Sequence, residues 1–184
     1  MAYQKIKGMM SDGKTSRYVQ VDSAGRLVLS NNSKIKRVTK PLGAANEYHA
    51  TDVLSESTST GSDWDFNLGF TGNITLVMVV SVTSAITPRL VLHLYRFPPA
   101  CQLNDHATST SPKAADLVNF IGSVDLPAMT SLGTGMSYTI ATPSTYGNLY
   151  LPYDTPKIYG VLHTLTAFTQ TVGGDMTIFL GAEG

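Results

Sequence analysis

Short runs of alternating or continuously apolar residues, each ended by turn-forming residues, follow one another through most of this 184-residue chain. Gly61-Ser62, Thr87-Pro88 and Gly173-Gly174 are examples of the turns. A long series of strands with almost no helix restricts the fold to an antiparallel sandwich or barrel. We therefore predict an all-β fold, a jelly-roll-like two-sheet β-sandwich. Its eight strand-like runs are residues 50–54, 64–68, 74–83, 89–96, 120–126, 137–142, 157–168 and 176–180.

Two of these runs indicate where the core lies. Leu90, Leu92 and Leu94 share one face of a strand and should point into the core, while Val91, His93 and Tyr95 share the other face. Residues 74–82 are apolar on both faces apart from Thr75 and Ser81, which predicts a central strand covered on both sides. A neighbouring subunit is one candidate for the second cover.

Helical signals are confined to one short segment. In residues 111–118, Ser111 can cap a helix and Pro112 can occupy its first turn. We expect one or two helical turns there.

Basic residues concentrate at the start of the chain. Nine of the thirteen lysines and arginines lie within the first 44 residues, where only two acidic residues occur, so this segment carries +7 and the remainder −7. Residues 17–22 and 26–29 form a candidate hairpin, residues 35–39 a further short strand, and residues 41–46 a linker. The sequence thus predicts a strand-containing basic N-terminal arm at 1–44 and a β-sandwich body at 45–184.

Such charge asymmetry indicates an arm that docks on something acidic. Two alternatives remain: the lysines simply keep the arm soluble, or they bind nucleic acid. The acidic body would repel phosphate, and no interleaving of aromatic and basic residues typical of RNA-binding sheets is present, so we expect no nucleic-acid partner. The longest apolar run is far too short to span a bilayer, and the polar, basic amino end is unlike a secretory signal, so we expect no membrane partner and synthesis in the cytosol.

No motif in the sequence indicates catalysis. Nucleophile elbows, phosphate-binding loops and dinucleotide fingerprints are absent, and His49, His93, His106 and His163 have no metal-ligand spacing. The single cysteine, Cys101, reads as a small buried residue. We therefore expect a protein that is not an enzyme, with no catalytic residue, cofactor or metal.

One acidic-aromatic motif keeps an alternative open. Asp63 and Asp65 flank Trp64, the only tryptophan, and project to the same strand face. Trp64 could stack on a sugar, although a core or interface anchor is the simpler interpretation. Paired carboxylates could also serve glycoside hydrolysis.

Four stretches resemble a known family. YHATDVLS at 48–55, TPRLVLHLY at 87–95, ADLVNFIG at 115–122 and YGVLHTLTAF at 159–168 are similar to the capsid decoration, or cement, proteins of tailed bacteriophages, and VDSAGRLV at 21–28 is similar to a segment near the start of phage virion proteins. The resemblance implies a structural virion protein, a homotrimer, that binds the outside of the capsid and stabilises contacts between capsomers. Its implied partners are the major capsid protein and other copies of itself, and its implied location is the capsid exterior after synthesis in the host cytoplasm.

On this interpretation the arm carries the capsid contacts. The candidates are Lys5, Lys7, Arg17, Lys34, Lys36, Arg37 and Lys40. The alternative is a head-fibre or receptor-binding module that recognises host surface glycans, with Asp63, Trp64 and Asp65 as the contact candidates. A carbohydrate-active enzyme using the same two carboxylates is a third hypothesis.

Overall fold

The structure is a computed structural model of the chain. It describes residues 32–43, 47–83, 85–142, 149–170 and 174–184, together with the backbone of residues 4–9 and 16–21. The chain divides into two compact units, Met1–Asn32 and Ser33–Gly184.

The first unit contains one antiparallel pair of strands. Strand β1 (Gln4–Met9) pairs with β2 (Ser16–Val21), with Gln4 opposite Val21 and Met9 opposite Ser16. The sequence paired residues 17–22 with 26–29, but residues 26–29 lie outside the described part. The partner of β2 that the structure does describe is β1.

The second unit is built from strands and one short 3-10 helix at Ala114–Asn119. The predicted all-β class is therefore confirmed, and the segment expected to be helical, 111–118, forms only the 3-10 helix, which begins at Ala114. The predicted strand at 50–54 is wrong: Asp52 and Val53 make single β-bridges to Thr108 and His163. The strands of this unit are β3 (Ser33–Pro41), β4 (Glu47–Tyr48), β5 (Trp64–Asn67), β6 (Gly72–Ser81), β7 (Leu90–Tyr95), β8 (Phe120–Leu126), β9 (Thr130–Ser131), β10 (Ser137–Ala141), β11 (Leu151–Tyr153), β12 (Lys157–Thr164), β13 (Phe168–Thr169) and β14 (Asp175–Glu183).

The long strands are divided between two antiparallel sheets. The large sheet runs β3-β14-β6-β10-β9, with β11 also paired to β6, and the small sheet runs β5-β12-β7-β8; β4 and β13 form a separate short pair. Among the eight principal strands the pairing is nested, because the first pairs with the last (β3 with β14), the second with the seventh (β5 with β12), and so on inward to β7 with β8. This order is consistent with the predicted jelly roll, in which a long antiparallel ribbon folds over on itself.

The core lies between the two sheets. Leu90, Leu92 and Leu94 are fully buried in it, as the alternation predicted, together with Ile178 and Leu180 from the large sheet. The opposite face of the small sheet is covered too, since Tyr95 and Val161 pack there with Val53 and Cys101. Strand β6 is central, between β14 and β10, as predicted.

Strand β3 belongs to the large sheet and not to an arm. It pairs with β14 over its whole length, from Ser33 opposite Glu183 to Pro41 opposite Asp175, and Leu42 just beyond it is only 2% exposed. The division between the units therefore falls after Asn32, whereas the sequence placed it after residue 44. No helix in the described residues is long and apolar enough to cross a membrane.

Candidate functional site

The residues predicted to contact a capsid fall into two groups. Lys5 and Lys7 lie on β1 and Arg17 on β2, but their side chains lie outside the described part of the chain. Lys34, Lys36, Arg37 and Lys40 lie on β3, within the sandwich.

Lys40 is held inside its own subunit. Its side chain is 10% exposed, and its ammonium donates hydrogen bonds to Glu56 Oε2 at 2.6 Å, to the Ser62 carbonyl at 2.7 Å and to Ser62 Oγ at 2.8 Å. The ammonium also lies 5.3 Å from the centre of the Trp64 ring. Because these groups already satisfy its charge, the structure removes Lys40 from the docking candidates.

Burial and hydrogen bonding oppose each other in this ion pair. Burial lowers the pKa of Lys40 and outweighs the raising effect of the Glu56 and Asp63 carboxylates. Burial alone would raise the pKa of Glu56, but hydrogen bonds from Lys40, Ser62 and Ser55 overcome it and lower that pKa to about 2. The Glu56 carboxylate is ionised near neutral pH, and its contact with Lys40 connects β3 to the loop at residues 55–62.

The other β3 cations lie closer to solvent. Lys34 is exposed but donates to the Leu68 carbonyl at 2.9 Å, which connects β3 to the end of β5. The Arg37 guanidinium lies 5.9 Å from the centre of the Phe179 ring, and Lys36 is half-buried. β3 has a strand on one side only among the described residues, and lysines on such an edge discourage pairing with other chains. Part of the basic cluster is thus explained by protection of a sheet edge.

The observed boundary also reduces the charge asymmetry between the two parts of the chain. Residues 1–32 hold five basic and two acidic residues, a net charge of +3, and residues 33–184 hold eight and eleven, a net charge of −3. The sign of the asymmetry survives, but its size is less than half of that predicted for a boundary after residue 44.

The large sheet presents an apolar surface on the side away from the core, which we call the outer face. In register across three strands, Met78 lies opposite Phe179 on one side and Ile140 on the other, while Val80 lies opposite Tyr138. These side chains are half-buried, and Ile35 on β3 is 61% exposed. Single exposed apolar residues are ordinary, but a contiguous apolar sheet face indicates an interaction surface. The apolar residues of the outer face are Ile35, Leu76, Met78, Val80, Tyr138, Ile140 and Phe179.

A depression of about 260 Å³ interrupts this face between β3 and β6. Gly181 lies at its floor, between Ile35 and Leu76 in the pairing register. A Cβ atom at Gly181 would come within 2.8 Å of the Leu76 Cβ, so a side chain cannot be added without moving β6. The register of β14 against β6 shifts at the next residue, which places this depression at a bulge.

The glycan-contact candidates do not form a sugar platform. Trp64 is 1% exposed, and its Nε1 donates to the Leu54 carbonyl at 3.1 Å, so its ring is a core anchor. Asp65 forms an ion pair with Lys157 at 2.6 Å. Burial raises the pKa of Asp63; the charge of Lys40 opposes this effect, and the charge of Asp65 adds to it. Without an exposed aromatic face, the proposed stacking surface at Trp64 is lost.

One cluster of polar side chains was not predicted from the sequence. His49, Asp52 and His106 place a potential ligand atom each within 4.8 Å of one another. His49 and Asp52 are close in sequence, but His106 comes from a distant loop, so spacing along the chain gave no metal signature. A histidine followed three residues later by an aspartate is too common in loops to have identified the cluster.

Comparison with known proteins adds little to this picture. No family model matches the chain, and no curated protein matches it. A chain in the solved structure of infectious bursal disease virus, Gx strain, aligns with 97% of this chain at 10% identity and a TM-score of 0.19. This chain spans 45% of the length of that viral chain. A likeness this low carries no argument about fold or function.

Proposed function

We propose that this chain is a structural subunit of a virus particle, a non-catalytic decoration protein that binds the outside of a tailed-phage capsid and stabilises contacts between capsomers. The observation that carries the proposal is the outer face, an apolar sheet surface on which no described residue of the subunit packs as a second layer. Apolar surface of this kind gains free energy when it is covered, at roughly 25 cal/mol for each Å² removed from water.

The occupant we propose for the outer face is another copy of this chain, in a homotrimer. Arg37 borders the face over Phe179, which gives it the arrangement of apolar centre and charged margin that is typical of subunit interfaces. The family resemblance of the sequence gives the same expectation of a trimer.

The capsid contact is assigned to the Met1–Asn32 unit. Its net charge of +3 suits an acidic partner, and Lys5, Lys7 and Arg17 lie on its two strands. Solvated ion pairs contribute only about 0–1 kcal/mol each, so one copy would bind weakly. Three copies on one trimer act together, and avidity then increases the affinity by orders of magnitude. Lys34, Lys36 and Arg37 on the β3 edge remain secondary candidates.

Co-sedimentation with capsids of the encoding phage tests the proposal. The full chain should be found on purified particles and should rebind stripped capsids, whereas a chain lacking residues 1–32 should rebind at least about tenfold more weakly because avidity multiplies the loss of each contact. The triple variant Lys5→Gln, Lys7→Gln, Arg17→Gln should show most of that loss, and Lys113→Gln, an exposed charge in the other unit, should bind normally. Absence of the protein from particles, or full occupancy by the shortened chain, would refute the assignment.

A further inference from the structure

We propose that His49, Asp52 and His106 form a binding site for a first-row transition-metal ion such as Zn²⁺. The inference is independent of the proposed virion role. His49 Nδ1 lies 3.7 Å and His106 Nδ1 3.8 Å from the same carboxylate oxygen, Asp52 Oδ2. Imidazole nitrogen and carboxylate oxygen are both ordinary ligands of zinc.

The spacing suits a shared ion better than direct pairing. At 3.7 and 3.8 Å from Asp52 Oδ2, neither imidazole ring makes a hydrogen bond to this carboxylate. Bond lengths of about 2.0–2.1 Å to a tetrahedral zinc place ligand atoms about 3.3 Å apart, which follows from the tetrahedral angle. Each imidazole nitrogen therefore needs to approach Asp52 Oδ2 by only a few tenths of an ångström. All the ligand atoms already lie within 4.8 Å of one another, and rotation of the exposed His49 side chain can close the remaining separation.

An unpaired nitrogen marks the place of the ion. His106 Nδ1 is buried and has no hydrogen-bond partner among the described residues. A buried polar atom without a partner costs free energy, on the order of 1–3 kcal/mol. A metal ion bound to this nitrogen would remove that cost.

The surrounding backbone holds two of the three ligands in place. Asp52 is 5% exposed, and its Oδ2 accepts a hydrogen bond from the His49 backbone amide at 2.7 Å. The His106 amide donates to the Val53 carbonyl at 2.9 Å, and the ring of Tyr48 packs edge-on against the His106 ring at 5.0 Å between centroids. The side chain of His49 is 72% exposed and is the one that can rotate to complete the site.

The ligand set selects the class of metal. Two nitrogens and one oxygen favour Zn²⁺, Ni²⁺, Co²⁺ or Cu²⁺, whereas Ca²⁺ and Mg²⁺ prefer shells made of oxygen. Three protein ligands also leave a tetrahedral ion one open position. That position would take water or a group from a second molecule, and the bound ion would fasten the 49–52 turn to the loop that carries His106.

Isothermal titration of the full chain with ZnCl₂ tests the site. We expect one ion for each chain, and His49→Ala should weaken binding by at least about tenfold, since even partners outside the ligand shell cost that much when removed. His49 is exposed, so the variant should keep its fold, which circular dichroism checks. Glu47→Ala, an exposed acidic change on the same segment, is the matched control and should bind like the unaltered chain.

A second measurement keeps the result independent of folding. Among the four histidines, only the imidazole resonances of His49 and His106 should shift when Zn²⁺ is added. The proposal is overturned if no saturable binding occurs, if His49→Ala binds as tightly as the unaltered chain, or if His93 and His163 shift in place of the proposed pair.

Discussion

At the scale of single residues, two histidines show what burial does to a titratable group. His93 and His163 are 6% and 7% exposed, and their ring centroids are 4.9 Å apart on the outer side of the small sheet. His93 Nδ1 is hydrogen-bonded to Ser123 Oγ at 2.7 Å, while His93 Nε2 and His163 Nδ1 have no partner among the described residues. Burial, followed by the neighbouring His163, lowers the pKa of His93 to about 4, and burial lowers the pKa of His163.

This pair predicts loss of stability in mild acid. In the unfolded chain a histidine titrates near 6.5, so between that pH and about 4 the unfolded state binds a proton that folded His93 does not. The His93 contribution to stability is therefore fully present above pH 6.5, falls as the pH drops through this window and levels off below the folded pKa. Between pH 7.5 and 5, we expect the thermal midpoint of the unaltered chain to fall about 3–6 °C more than that of His93→Gln, at about 2–4 °C for each kcal/mol.

Differential scanning fluorimetry across this pH range provides the measurement. Lys113→Gln, a change of an exposed residue outside the histidine pair, should follow the unaltered chain. Equal slopes for the unaltered chain and His93→Gln would show that the buried pair does not control the acid response.

Residue roles were only partly predictable from the sequence. The alternation of Leu90, Leu92 and Leu94 identified core residues correctly because strand periodicity is a local property. The sequence left Trp64 as either a core anchor or a sugar platform. The structure shows a core anchor, because the Leu54 carbonyl and Lys40 contact its ring from other segments of the chain. Cys101 is buried as expected, and burial raises the pKa of its thiol.

At the scale of elements, β3 shows why the sequence can predict a strand and still not predict the sheet to which it belongs. The sequence SKIKRVTKP carries positive charge on both faces, so the period-2 pattern does not distinguish core from solvent. The register gives the answer: Lys40 and Val38 share the face of Met176 and Ile178, and Lys40 reaches past the apolar layer to Glu56. A buried lysine whose partner lies in a distant loop has no local signature.

Two truncations separate the observed boundary from the predicted one. Removal of residues 1–32 should leave the sandwich about as stable as the full chain, because the Ser33–Gly184 unit is compact on its own. Removal of residues 1–44 also takes away β3, the buried Leu42 and the Lys40–Glu56 pair, and leaves Glu56 without its cation. We expect this second truncation to lose at least about 3 kcal/mol, because removal of a buried leucine such as Leu42 alone costs about 2–5 kcal/mol.

Urea denaturation followed by fluorescence provides the comparison, since Trp64 is the only tryptophan and is buried. Lys36→Met in the chain that lacks residues 1–32 is a control for loss of a β3 charge. It should change the free energy of unfolding by no more than about 0.5 kcal/mol. Coincident unfolding curves for the two truncations would mean that β3 is dispensable.

The nesting of the strand pairs was beyond sequence reasoning in detail. Local patterns identified seven of the eight principal strands among the runs predicted for the body, and the eighth, β3, was predicted as a short strand of the arm. Which strand pairs with which depends on contacts between residues far apart in sequence, such as β3 with β14, and a single sequence carries no signal for them.

At the scale of the whole Ser33–Gly184 unit, its two sheets are covered unequally. On the side of the small sheet away from the core, the Tyr95 hydroxyl is hydrogen-bonded to Ser111 Oγ, and Tyr95 packs with Cys101. The segment at residues 97–113 therefore covers that side. The outer face of the large sheet has no such layer in the described residues. This inequality is the physical basis for expecting a subunit neighbour on the large sheet.

Light scattering of the purified chain measures whether the outer face joins subunits. We expect a trimer, and we expect Met78→Asp to shift it to monomer, because a buried carboxylate at the centre of an apolar interface costs several kcal/mol. Ser59→Asp, which adds the same charge to an exposed loop, should leave the trimer intact. A chain that is monomeric both free and on capsids, or a Met78→Asp trimer, would contradict the assignment of this face.

The pairing of β3 with β14 brings Ser33 opposite Glu183, next to the final residue, Gly184. The first and last residues of the sandwich therefore lie side by side, and a short Gly-Ser linker could join them at little entropic cost. New ends could then be opened in the exposed loop at residues 58–60 to give a circular permutant. A cargo fused after Gly184 would likewise emerge beside the strand at which the sandwich starts.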